Sequence, residues 1–244
     1  MKQKSILSAG IGLILMIALL PGCYYENGPG NRIEASGPVI KRVLDLENFD
    51  GIILANSADV FITQGSKQKV EVEGQENILR NLSTDVSGGV WKIRNKRPVW
   101  RRYDLTVRIT MTDLDLVRLS GSGNINTTNT FEDLNDLDLK ISGSGNMKFD
   151  IEADEVIGRI SGSGSINLMG FAKRIGLTVT GSGNINAISL KSESATANIS
   201  GSGGIRLHAS EDLDARVSGS GNIVYKGNPS LDSRITGSGS IHSR

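Results

Sequence analysis

The chain has 244 residues, with 27 lysines and arginines against 26 aspartates and glutamates, a formal net charge of +1 and a single cysteine. So even a balance argues against a general nucleic-acid binder, and one cysteine excludes a disulfide framework or a cysteine-based metal site. Thirty glycines against five prolines, with 5% aromatic residues, point instead to internal repetition.

At the N-terminus, Lys2 and Lys4 precede an apolar run over residues 6–20, broken only by Ser8, Gly10 and Gly12. The run is too short, and too closely followed by polar residues 24–31, to read as a spanning helix. It ends in Leu20-Pro21-Gly22-Cys23, which resembles the bacterial lipobox. That resemblance implies that residues 1–22 are a lipoprotein signal peptide and that Cys23 is the lipid attachment site. The partner it implies is the membrane, reached through the lipid anchor. Each buried CH₂ contributes about 0.8 kcal/mol, so the several acyl chains of such an anchor hold permanently where one holds reversibly. Tyr24 rather than Asp follows Cys23, which points to the outer membrane of a Gram-negative cell envelope and leaves the facing side open. Residues 23–37, containing Asn, Gly and Pro without periodicity, read as a lipidated tether.

Residues 38–116 carry alternating apolar pairs: Val60/Ile62, Val70/Val72, Trp91/Ile93 and Leu105/Val107/Ile109/Met111. These predict strands with one face in a core. Residues 77–82 predict a short helical turn or a bulging loop, and Gly65, Gly74 and Gly88-Gly89 supply breaks. This irregular part is expected to form the first coils and their cap, because an uncovered sheet edge invites aggregation. Within it, Lys92, Arg94, Lys96, Arg97, Arg101 and Arg102 interleave with Trp91, Trp100 and Tyr103. If Trp91 points inward, Lys92 and Arg94 point out, giving a basic face around a turn at Pro98. Basic groups beside aromatics suit an anionic glycan or another envelope polyanion. The competing reading is a solvated hairpin whose charges prevent edge pairing.

From residue 117 onward one motif recurs. Ser120-Gly121-Ser122-Gly123-Asn124-Ile125 returns at 142–147, 161–166, 180–185, 200–205, 218–223 and 236–241. The first glycines are Gly121, Gly143, Gly162, Gly181, Gly201, Gly219 and Gly237, at steps of 18 to 22 residues. Flexible linkers do not hold apolar residues in register. Here Leu137, Leu139, Ile141, Met147 and Phe149 alternate without losing phase across Gly143 and Gly145, as do Ile175, Leu177, Val179, Ile185 and Ala187 across Gly181 and Gly183. Paired glycines on the inward parity omit side chains where a coil pinches. The expected fold class is all-β: a single-stranded parallel β-helix, right-handed by preference, built from Gly/Ser-rich repeats.

The Ser-Gly-Ser-Gly-Asn-Ile copies, with Ala58-Asp59-Val60-Phe61-Ile62-Thr63-Gln64-Gly65 and Lys69-Val70-Glu71-Val72-Glu73-Gly74 before them, resemble the head GIN domain proteins, also labelled autotransporter adhesins. The resemblance covers about residues 39–244. It implies a β-helical fold in an extracytoplasmic setting, with 38–244 as the domain, and an adhesive role.

For catalysis the sequence offers little. Arg118, Lys140, Arg159, Arg216 and Arg234 recur three residues before the first glycine, with Asp138, Asp214 and Asp232 two residues earlier still. Same-face Asp and Arg along strands more often solvate and neutralise a ladder than form a site. His208 and His242 lack the spacing of a ligand pair, and no serine lies in a nucleophile elbow. Calcium β-helices place Asp in each turn, where this chain has Asn, Ser or Gly. The expectation is a non-enzymatic envelope lipoprotein, an adhesin or polymer-binding module needing no cofactor or metal. The alternatives are a carbohydrate-active β-helix enzyme and a purely structural scaffold.

Overall fold

The computed structural model describes residues 32–100 and 103–244. Cys23, the expected signal peptide and most of the tether lie outside the described residues, as do Arg101 and Arg102.

The N-terminal part contains β1 (Ile33–Glu34), β2 (Val39–Leu44), β3 (Gly51–Leu54), β4 (Asp59–Gln64), β5 (Lys69–Gln75), α1 (Glu76–Asn81), β6 (Val86–Ser87), β7 (Val90–Ile93), β8 (Val99–Trp100) and β9 (Leu105–Met111). The repeats follow as β10 (Leu116–Leu119), β11 (Asn124–Thr127), β12 (Phe131–Ile141), β13 (Asn146–Gly162), β14 (Ser165–Gly181), β15 (Asn184–Gly201), β16 (Gly204–Gly219), β17 (Asn222–Lys226), β18 (Ser230–Gly237) and β19 (Ser240–Ser243). The fold is all-β, a solenoid of about seven turns joined to a curled mixed sheet.

In the solenoid each strand pairs in parallel with its counterpart one repeat on, and the first glycines stack directly: Gly162 on Gly181, Gly181 on Gly201, Gly201 on Gly219 and Gly219 on Gly237. The period-two residues line the core: Met147, Phe149, Ile151, Val156, Ile166, Leu177, Val179, Ile185, Ile199 and Val217 are all buried. Unequal repeat lengths are absorbed as bulges away from the glycine turns, at Phe131/Leu134, Asn167/Met169 and Ala187/Lys191. The first of these contains Asp133, whose φ of 57° is the only positive value at a non-glycine residue among the described residues.

The two glycines of each motif serve different ends. In the last five copies the first adopts positive φ, +114° at Gly181 and +129° at Gly201, and turns the chain from one wall to the next. The second is a matter of space. A Cβ on Gly183 would lie 2.5 Å from Ile160 Cγ2 and 2.7 Å from the Gly164 carbonyl oxygen of the coil below.

One rung escaped the repeat pattern. Leu54-Ala55-Asn56-Ser57-Ala58-Asp59-Val60 lies in register beside residues 119–125, with Leu54 opposite Leu119, Asp59 opposite Asn124 and Val60 opposite Ile125. It turns in the same six residues without glycine. Asn56 instead closes the turn by accepting the Ala58 N–H at 3.1 Å.

Stacking order also departs from chain order. β3 pairs in parallel with β7 on one side and β10 on the other, and β4 lies likewise between β9 and β11. The rung that the chain forms first is thus sandwiched, and the outermost rung is formed by the later β7 and β9. A wholly parallel arrangement over 38–244 does not hold here: β5 runs antiparallel to β9, and β2 antiparallel to β5. These two strands cover the edge that β9 would otherwise expose. Ile78, Leu79 and Leu82, on and just after α1, are buried and close that end of the core. This end of the solenoid is thus covered by antiparallel strands and a helical turn. Ile33 and Glu34 pair with Val99 and Trp100, and Asn77 Nδ2 donates to the Glu34 carbonyl at 2.7 Å, so packed structure begins before residue 38.

Candidate functional site

The basic segment occupies a specific place in this scheme. Ile93 stands opposite Leu54, and Val107 opposite Val60. Between those two positions the outermost rung has thirteen residues where the neighbouring rung has five. The described residues 94–100 and 103–104 therefore belong to an enlarged counterpart of the tight turn. They do not form a hairpin: β8 pairs with β1, and β7 pairs with β3 and β6. The reason is Trp91, which is fully buried, packs tilted against Phe49 with ring centres 5.7 Å apart and donates its indole N–H to the Ser83 carbonyl at 3.2 Å. Its burial commits β7 to a solenoid wall.

The structure disperses the four of these basic residues that it describes, Lys92, Arg94, Lys96 and Arg97. Lys92 is exposed and lies opposite Ile53, which lies opposite Arg118. It therefore heads the same column as Arg118, Lys140 and Arg159. Arg94 faces Asp85 at 3.6 Å. Lys96 and Arg97 sit in an exposed loop held by Asn81, which donates to the Arg97 carbonyl at 2.8 Å and accepts the Arg97 N–H at 3.0 Å. Trp100 is 42% exposed, with the Arg32 guanidinium 4.9 Å from its ring centre. Tyr103 is half-buried and receives a hydrogen bond from Asn95 at 2.6 Å. Of the three aromatics, only Trp100 is presented to solvent.

The Asp/Arg column behaves as a neutralised ladder. Arg159 donates to Asp138 of the neighbouring coil at 2.8 Å, and Arg216 grips Asp214 through two bonds of 2.9 Å. The Asp214 contact holds the Arg216 pKa above its ordinary value. On the next wall, Lys173 lowers the Asp154 pKa from a distance of 2.6 Å. Around β10, Asp115 is raised by its burial and then by Asp113, Asp50 and Asp136. Among the described residues no group of three or more His, Cys, Asp or Glu is placed to hold a metal.

The opposite wall differs in chemistry. Its outward residues form rows two positions apart along each strand. The first row runs Asp59, Asn124, Asn146, Ser165, Asn184, Gly204, Asn222 and Ser240. Its side chains bond from rung to rung where they are long enough: Asn124 donates to Asp59 at 2.7 Å, Asn146 to Asn124 at 3.0 Å and Ser240 to Asn222 at 2.8 Å. The second row ends in Asn186, Arg206, Val224 and His242. A third contains Lys191, His208 and Lys226. His208 is held below the ordinary histidine value, first by burial and then by Lys226 and Lys191. No outward residue of these rows in the last four coils is acidic.

A groove of about 600 Å³ opens on this wall, lined by Asn184, Asn186, Gly204, Arg206, Asn222 and His242 among others. Sequence reading passed over it because its residues come from four strands, one repeat apart. The signal available was Gly204 in the slot that otherwise holds Asn or Ser.

Residues 48–229 match the family model described as "Putative auto-transporter adhesin, head GIN domain". Comparison with curated proteins gives no match. Among solved structures, the chain is similar to "a putative adhesin" from Bacteroides fragilis NCTC 9343, with 26% identity over 87% of this chain and 100% of that one, at a TM-score of 0.82. It is similar to a "Putative lipid binding protein" from Parabacteroides distasonis ATCC 8503, with 28% identity over 88% and 100% and a TM-score of 0.75. A "putative adhesin" from that same organism matches at 26% identity over 88% and 100%, with a TM-score of 0.71.

Proposed function

Since the chain belongs to the head GIN domain family, we propose that it is a non-enzymatic adhesion module of the cell envelope, held to the outer membrane by lipid on Cys23 and binding a surface or envelope polymer along its solenoid. The observation that carries this reading is the pair of long outer walls on which polar and charged side chains recur from coil to coil. Repetition at about 4.8 Å per coil offers a polymer many equivalent weak contacts, which add through effective concentration. A catalytic site needs the opposite, a few unlike groups converging on one reacting bond. The Asp and Arg pairs Asp138–Arg159 and Asp214–Arg216 are spent on each other.

A second location favours the same polyanion class. The enlarged turn presents Lys96, Arg97 and Trp100 to solvent, beside Arg101 and Arg102 in sequence.

The test is an array of glycans and envelope polymers probed with the full chain in detergent, at low and high salt. Saturable retention of one polymer class supports the reading, and retention of none overturns it. For the anchor, Cys23→Ser should move the protein from the membrane to the soluble fraction and abolish incorporation of labelled fatty acid. A variant that still takes up the label would refute it.

A further inference from the structure

From the Gly204 groove we infer a binding site for a carboxylated pyranose of the uronic-acid type, a conclusion that rests on the polymer-binding reading and assigns its site and ligand class. Three features carry it.

The first is an interrupted ladder. In the Asn row each amide nitrogen that bonds donates to the oxygen of the neighbouring rung, as Asn146 does to Asn124. At Gly204 there is no side chain to continue this. The Asn184 Oδ1 lies 2.9 Å from where a Cβ of residue 204 would stand, so it faces the slot without a side-chain donor there. On the far side, Asn222 uses its Oδ1 to accept Ser240, which leaves its amide N–H groups for the slot. The slot thus offers an acceptor from one rung and donors from the rung two coils on, roughly 9.6 Å away by coil spacing. One hydroxyl of a pyranose donates to the acceptor while another accepts from the donors, so a single ring spans the two.

The second feature is charge. Arg206 projects from the same strand two residues after Gly204, is exposed, and has no ion-pair partner among the described residues. Its planar fork matches a carboxylate in two parallel hydrogen bonds. Lys191, His208 and Lys226 stand one row further on, and no carboxylate of these rows competes in the last four coils. The third feature is Val224, half-buried between Arg206 and His242 in the second row. It gives the C–H face of a pyranose an apolar floor.

The probe is trigalacturonate, with its methyl ester as the neutral counterpart, titrated calorimetrically into the full chain in detergent. The parent should bind the acid and lose it on esterification. Arg206→Ala should weaken binding about tenfold or more, the usual loss for one charge-assisted contact. Gly204→Asn should do the same by restoring the ladder and filling the slot, with an unchanged melting curve, since the added Cβ comes under 3 Å only to the movable end of Asn184. Arg234→Ala, on the opposite wall, should leave the affinity unchanged.

Equal binding of acid and ester overturns the site, as does parent-like affinity in both groove variants. If binding is lost instead with Lys96→Ala and Arg97→Ala, the groove is wrong while polymer binding stands. If the parent retains nothing on the polymer array, both fail together.

Discussion

Gly183 and Gly176 are both buried or half-buried glycines in neighbouring positions of the repeats, yet a side chain would meet very different surroundings. At Gly183 a Cβ would press on Ile160 and on the Gly164 carbonyl, whereas at Gly176 the nearest atom is Ile157 Cγ1 at 4.0 Å. Gly183→Val should therefore cost on the order of 3 kcal/mol through overpacking and backbone strain. Gly176→Ala should be neutral or stabilise by about 0.5 kcal/mol by restricting the unfolded chain. Urea unfolding of the two variants measures both, and equal effects would contradict the distinction. His208 supplies a pH-dependent counterpart. Its pKa is depressed by burial and by Lys226 and Lys191, so between the folded-state value and the ordinary value of about 6.5 the unfolded chain binds more protons. Stability is then full above the ordinary value and falls as pH drops through that window. His208→Gln should flatten the decline of melting temperature below about pH 6.5.

At the scale of elements, the enlarged turn to which residues 94–100 belong depends on one buried side chain. Asn81 is 5% exposed and makes both of its loop contacts with the Arg97 backbone. Asn81→Ala would leave those backbone groups unpaired, costing about 2 kcal/mol. It should also open the loop to trypsin after Lys96, the Arg97–Pro98 bond being resistant, before the solenoid is cut. Lys96→Glu with Arg97→Glu should leave the melting temperature within a degree or two of the parent, because exposed charges there contribute little. Limited trypsin digestion followed by mass analysis separates the two effects. Cleavage first within the repeats would show that Asn81 does not hold the loop.

For the molecule as a whole, the sandwiched rung is the consequential feature. Ile52 on β3 is fully buried between the rungs of β7 and β10, while Ile235 on β18 is 45% exposed. Ile52→Ala should cost about 3 kcal/mol and Ile235→Ala about 1 kcal/mol or less. Hydrogen exchange should protect the amides of 51–54 more than those of 231–235, since solenoid stability sums over neighbouring interfaces. The reverse order of protection would mean that β3 is not an interior rung. How much of this was legible in the sequence follows from what each feature depends on. Alternation and a repeated glycine pair are local, so the strands, the inward faces and the stacking of residues 117–244 could be read directly from spacing. Trp91 and Ile93 were legible as inward residues for the same reason. The rung at 54–60 was not, because Asn56 and Ala58 make its turn by an Asx hydrogen bond that leaves no glycine signature. Nor was the placement of β3 between two later strands, which is settled by long-range pairing and by the need to cover the β9 edge with β5. The groove was equally hidden. Asn184, Gly204, Asn222 and Ser240 are 18 to 20 residues apart in the chain, and only the winding of the solenoid places each one rung from the next.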